Sequence, residues 1–134
     1  MNFLGIDYGE KRVGLATGND ETKIASPFLI LENKGQDFLL EEIKNICEKE
    51  NVEKIVVGMP LTMASEKGPQ AKEISRFVNF LKNNLNTPVE TEDERLTSAM
   101  VDALMAESGV KDRDAVAAMI ILQSFFDRKN DAAS

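Results

Sequence analysis

Asn2-Phe3-Leu4-Gly5-Ile6-Asp7-Tyr8-Gly9-Glu10-Lys11-Arg12-Val13-Gly14-Leu15-Ala16-Thr17-Gly18 sets two apolar runs around one polar turn. Residues 2–7 read as a buried strand and residues 13–18 as a second, close enough to form a hairpin. Asp7 then falls at the carboxyl end of the first strand, where open α/β sheets gather their ligands. Gly9 allows a ligand or the backbone to come close. The competing reading is that Asp7 only starts the turn, bonding to its own backbone.

Downstream, residues 24–31 read as a third strand, and Pro27 predicts an edge position because proline cannot donate to a ladder. Leu39, Ile43, Ile46 and Cys47 then recur on one helical face. Lys54-Ile55-Val56-Val57-Gly58 is a short buried strand, and Pro69 can open the next helix. Ala71, Ile74, Phe77, Val78, Leu81 and Leu85 form the apolar face of that helix. A fifth strand is predicted over Val89 to Glu92. Thr97 or Ser98 can cap a helix that Gly109 stops near Ser108. Ala115 to Phe126 reads as a last, largely buried helix. The order β-β-β-α-β-α-β-α-α predicts a mixed five-stranded sheet flanked by helices: a meander extended by parallel crossovers.

A length of 134 residues fits one domain, placed at 1–128 with 129–134 as a flexible tail. The start of the chain lacks the basic flank and long apolar run of a signal peptide, and no run is long enough to span a membrane. One cysteine, Cys47, fits a reducing compartment, so a cytoplasmic protein is expected. The chain has no histidine, which excludes a Ser-His-Asp triad, a Cys-His dyad and His-ligated zinc. Any metal site must use oxygen ligands, which favours Mg²⁺ or Mn²⁺. The net charge of −7 argues against general nucleic-acid binding unless positive groups cluster at the site.

Two further acidic stretches stand out besides Asp7. Glu92-Asp93-Glu94-Arg95 follows the fifth strand, and Lys111-Asp112-Arg113-Asp114 precedes the last helix. Each has an ordinary explanation in helix capping and dipole compensation. Asp114 is favoured over Asp112 because Ala115-Val116-Ala117-Ala118, next in the chain, is small and apolar. That end of the helix can press onto the sheet and carry Asp114 with it. Acids from three elements can hold two divalent cations about 4 Å apart and hydrolyse a phosphodiester without histidine. Lys11, Arg12 and Arg95 can offset the negative charge for an incoming nucleic-acid backbone. Residues 59–68 are predicted to be a mobile loop at the same sheet edge. Tyr8 can stack on a base or pack in the core.

Gly5-Ile6-Asp7-Tyr8-Gly9-Glu10-Lys11-Arg12-Val13-Gly14-Leu15-Ala16 resembles the opening motif of the YqgF/RuvX family. Its members are called Holliday junction resolvase-like proteins or pre-16S ribosomal RNA nucleases. Val56-Val57-Gly58-Met59-Pro60-Leu61, Asp93-Glu94-Arg95-Leu96-Thr97-Ser98 and Lys111 through Leu122 resemble the later blocks, in order and over nearly the whole chain. The resemblance implies a ribonuclease-H-like fold and a metal-dependent nuclease that matures the 5′ end of 16S ribosomal RNA. It maps the acidic site to Asp7, Glu94 and Asp114, with Asp93 as second choice because strand alternation lets only one neighbour point inward. The implied partners are Mg²⁺ or Mn²⁺ (two ions) and nucleic acid, with precursor rRNA favoured and branched DNA as the alternative. The expected working unit is a monomer or weak homodimer. The segment after Leu61 lacks the family's Asn-Gly-like turn, and Asn19-Asp20 stands where Ser-Asp is commoner. Two rivals are a non-cleaving RNA- or ribosome-binding module and an ATP-using relative of the actin class, for which 134 residues supply only one of two lobes.

Overall fold

The computed structural model describes residues 1–60, 69–94, 98–108 and 112–133; within these, the side chains at 60, 69–70, 94, 98–101, 108 and 130–133 are not described. In chain order the elements are β1 (Asn2–Asp7), β2 (Arg12–Asn19), β3 (Ile24–Glu32), α1 (Gln36–Lys49), β4 (Val52–Pro60), α2 (Pro69–Asn84), β5 (Val89–Glu94), α3 (Ser98–Ser108) and α4 (Arg113–Ala133). The strands form one five-stranded sheet in the order β3-β2-β1-β4-β5. The β1–β2 and β2–β3 pairs are antiparallel, while β4 joins β1, and β5 joins β4, in parallel. This is the predicted mixed sheet, with the hairpin and the edge position of β3 in place. At the edge, β2 passes from Leu29 to Pro27 between Leu15 and Ala16, so Phe28 is left out of the register beside the residue that lacks an N–H.

Alternation along β1 divides the core. Leu4, Ile6 and Tyr8 turn to one face, where they meet Leu39 and Ile43 of α1 and Phe77 and Leu81 of α2. Phe3 turns to the other face and packs with Ile121, Leu122, Phe125 and Phe126 of α4. Burying one such side chain is worth about 1.5–3 kcal/mol, so this face holds α4 firmly. Its closeness depends on glycine. A Cβ on Gly5 would lie 2.9 Å from Leu122 Cβ, and one on Gly14 would lie 1.9 Å from the Asp114 carbonyl oxygen. The first turn of α4 therefore rests on the backbone of β2, as the small residues after Asp114 predicted. α3 packs on α4 through Leu104 and Met105 against Val116 and Ile120.

Two elements are longer than their sequence patterns predict. β5 continues to Glu94 instead of ending at Glu92, because Asp93 and Glu94 continue the pairing with Met59 and Pro60 of β4; before them, Glu90 is neutralised by Lys54 at 2.6 Å and Glu92 by Arg128 at 2.7 Å. α4 starts at Arg113 and continues through residues 129–133, past the predicted end at Phe126. The Gln123–Asp127 hydrogen bond and the Arg128–Glu92 ion pair hold its polar last turns, and no glycine or proline interrupts them. The loop predicted over 59–68, the Thr97 cap and the Gly109 stop lie, apart from residues 59 and 60, outside the described residues.

Candidate active site at the carboxyl end of the parallel strands

Asp7 is the last residue of β1 and shares the parity of Phe3 and Gly5, which places it on the α4 face. Its register partner on β2 is Gly14, the residue over which Asp114 sits. The structure thus brings Asp7 and Asp114 together from opposite ends of the chain. The Asp7 carboxyl is pushed up to about 6, first by burial and then by the negative charge of Asp114. Asp114 is less enclosed, and its Oδ2 accepts a hydrogen bond from Arg12 Nε at 3.0 Å. The Arg12 side chain is 67% exposed and that of Asp114 30%. Asp112 is exposed and serves through its backbone, its carbonyl accepting the N–H of Val116 at the start of α4.

The turn that aims Asp7 is tightly made. A Cβ on Gly9 would lie 2.4 Å from the Arg12 carbonyl oxygen, so only glycine fits there. Asn33, just past β3, donates from its side chain to the Gly9 carbonyl at 2.9 Å, and its backbone N–H donates to the Lys11 carbonyl at 2.9 Å. No local pattern in the sequence marks Asn33's part, since it acts across 24 positions. Lys11 itself is exposed. Tyr8 belongs to the core: its ring centroid lies 4.5 Å from that of Phe77, and its hydroxyl donates to Glu73 at 3.5 Å. Cys47 is buried and its thiol is pushed up to about 11 by that burial, which suits packing and not nucleophilic chemistry.

On β5, Glu92 is opposite Gly58, Asp93 opposite Met59, and Glu94 opposite Pro60. Met59 packs against the α1–α2 core, so Asp93 shares that face and is exposed. Glu92 and Glu94 share the opposite parity, that of Asp7. Glu92 is buried and takes both Nε and a terminal amino group of Arg128 on one oxygen, at 2.8 and 2.7 Å. The Glu94 side chain, Arg95 and Lys111 lie outside the described residues. Among the described residues no three Asp, Glu, His or Cys side chains are grouped to hold a metal ion. Asp7 and Asp114 supply two carboxylates at the strand ends, and the backbone of β5 brings Glu94 to the same end of the sheet. A cleft of about 500 Å³, lined by Asn2, Phe3, Thr17, Asn19, Ile24 and Glu50 among others, opens at the other end of β1, away from these acids.

Residues 1–128 match a family model described as RuvX, Holliday junction resolvase. A relative from Chloroflexus aggregans is 40% identical, over 98% of this chain and 96% of that protein. One from Halothermothrix orenii is 35% identical, over 97% of each. Both carry the provisional name of pre-16S rRNA nuclease. Among solved structures, Thermus thermophilus RuvC superposes with a TM-score of 0.66 at 16% identity, covering 98% of this chain and 97% of that one. The fowlpox virus resolvase, solved with Holliday junction DNA, gives 0.60 at 13% identity, covering 96% of this chain and 99% of that one. At such identities the likeness concerns the fold, which is ribonuclease-H-like.

Proposed function

Because this chain belongs to the RuvX family of nucleases, phosphodiester-cleaving hydrolases of nucleic acid, we propose that it cuts structured precursor RNA at the 5′ end of 16S rRNA. The observation that carries this reading is the half-buried Asp7 carboxyl held beside Asp114 at the carboxyl end of β1, with Arg12 on Asp114 as the nearby cation. The donors of this pair are all oxygen and one exposed guanidinium is its only counter-charge among the described residues, which fits Mg²⁺ or Mn²⁺. Asp7, Asp114 and Glu94 are the residues that would hold two such ions. Bound there, the ions supply Lewis acidity and a water made acidic enough to be deprotonated near neutral pH.

The chain's own residues have three tasks in this scheme. Burial of Asp7 keeps bulk water from screening its charge. The rigid seat of α4 on Gly14 fixes Asp114 against it. Lys11 and Arg12 at the rim, with Arg95, receive the nucleic-acid backbone. We assign residues 1–128 as the nuclease domain and take its working unit as a monomer or weak homodimer in the cytoplasm. In support, the exposed large hydrophobic side chains among the described residues are only Met1, Ile24 and Phe28. No helix among those residues is long and apolar enough to cross a membrane.

The test is cleavage by purified protein of a 16S rRNA precursor with its 5′ extension and, in parallel, of a four-way DNA junction. Mg²⁺-dependent cutting of the RNA, stopped by excess chelator, is the expected result. Cutting of the junction with the RNA left intact would move the assignment to DNA, the substrate in the family's description. Tight RNA binding without cutting of either substrate would favour a non-cleaving module.

A further inference from the structure

We propose that Arg12 is the resident counter-cation of the Asp7–Asp114 pair, released from Asp114 when a divalent cation binds and then passed to a phosphate of the nucleic acid. This rests on the reading of those acids as metal ligands and assigns Arg12 a role that depends on whether metal is present.

The geometry decides which partner moves. The first turn of α4 is seated on the backbone of β2, with no room for even a Cβ between Gly14 and the Asp114 carbonyl. Asp114 is therefore held in place. Arg12 is the first residue of β2, directly after the tight turn at Gly9, and its side chain is two-thirds exposed. The contact to Asp114 uses Nε at 3.0 Å. That leaves the terminal amino groups, which carry four of the five guanidinium N–H donors, for an incoming phosphate. An ion pair this exposed is worth roughly a two- to fivefold factor in equilibrium, small enough for a dication to displace. Lys11, beside it in the same turn, is exposed and makes no side-chain contact with Asp114, so it serves as the control for charge alone.

The experiment is calorimetric titration of the full chain with Mn²⁺ at low ionic strength, without nucleic acid. Arg12→Gln should tighten Mn²⁺ binding roughly two- to fivefold, the factor by which the ion pair competes. Lys11→Gln should tighten it clearly less, and Asp7→Asn should weaken it. In a second arm, affinity for an RNA hairpin is measured with Ca²⁺ and with chelator. Arg12→Gln should lower it more with Ca²⁺ than in chelator, where Asp114 competes for the guanidinium. Three results would overturn the proposal while leaving the site intact: unchanged or weaker Mn²⁺ binding by Arg12→Gln, equal tightening by Lys11→Gln, or an equal loss of RNA affinity in both conditions. If Asp7→Asn leaves Mn²⁺ binding untouched, the site reading fails first and this inference with it.

Discussion

Asp7 and Glu92 occupy the same face of the same sheet, and both are acids drawn out of water, yet their surroundings differ. Glu92 is enclosed and receives two guanidinium nitrogens from Arg128. Asp7 is half-buried beside another acid and holds its proton up to a pH of about 6. A buried charge with a well-placed partner is a structural element: it ties the end of α4 to β5. A half-buried carboxylate next to a like charge costs stability, and such cost collects at functional sites. On the proposed reading the contrast sets Glu92 in the architecture and Asp7 in the chemistry.

The largest effect that sharpens this contrast is on cleavage. Glu94→Gln should lower the cleavage rate roughly a thousandfold, the several kcal/mol of transition-state stabilisation that a lost metal ligand removes. Glu92→Gln, two residues earlier on the same face, should leave the rate within about tenfold in this assay, because the Glu92 carboxylate is buried and taken up by Arg128.

Next in size is the pH dependence of stability in metal-free protein. The folded carboxyl of Asp7 titrates near 6, against 3.8 for the ordinary group. Its contribution is therefore complete below pH 4 and is lost as pH rises through 6. The loss by pH 7 should be about 2–3 kcal/mol, since each pH unit between the folded and ordinary values is worth about 1.36 kcal/mol. The difference in urea midpoint between wild type and Asp7→Asn, followed from about pH 4 to 7.5, reads this, and a difference that does not change with pH would remove the strain from Asp7.

Arg128→Ala should also lower stability at neutral pH, for a different reason. It leaves the Glu92 carboxylate buried without a partner, a change that costs 3–5 kcal/mol in deep interiors and about 2 kcal/mol here, where Arg128 is half exposed. A loss below about 0.5 kcal/mol would mean that Glu92 is no better placed than a surface acid. The smallest effect belongs to Asp93→Asn. Exposed, and on the opposite side of β5 from Glu92, it should change stability by less than about 0.5 kcal/mol and leave cleavage near wild type. Loss of cleavage at Asp93 with retention at Glu94 would reverse their assignment.

Much of the fold was legible in the sequence because its causes are local. Strand alternation around Gly5-Ile6-Asp7 and helical spacing at Leu39, Ile43 and Ile46 each depend on a few neighbouring residues. The small residues after Asp114 even foretold its approach to the sheet. The pairs that distinguish the acids were not legible. Arg12 meets Asp114 from the far end of the chain, and Arg128 meets Glu92 from 36 positions away, and nothing near either arginine in the chain marks its partner. Pairing with Met59 and Pro60 of β4 likewise carried β5 through Glu94, and the Arg128–Glu92 contact accompanies α4 past Phe126, where local polarity alone suggested an end.

Whether Asp7 is a metal ligand or a turn residue is decided by the thermal midpoints of wild type and Asp7→Asn, in chelator and in Mg²⁺, alongside cleavage of the precursor RNA. As a ligand strained by its neighbour Asp114, it gives an Asp7→Asn protein that melts higher than wild type in chelator, gains less than wild type from Mg²⁺, and does not cut. An Asp7→Asn protein that melts lower in chelator, gains as much from Mg²⁺ and cuts at the wild-type rate would make Asp7 a turn residue and contradict the nuclease site built on it.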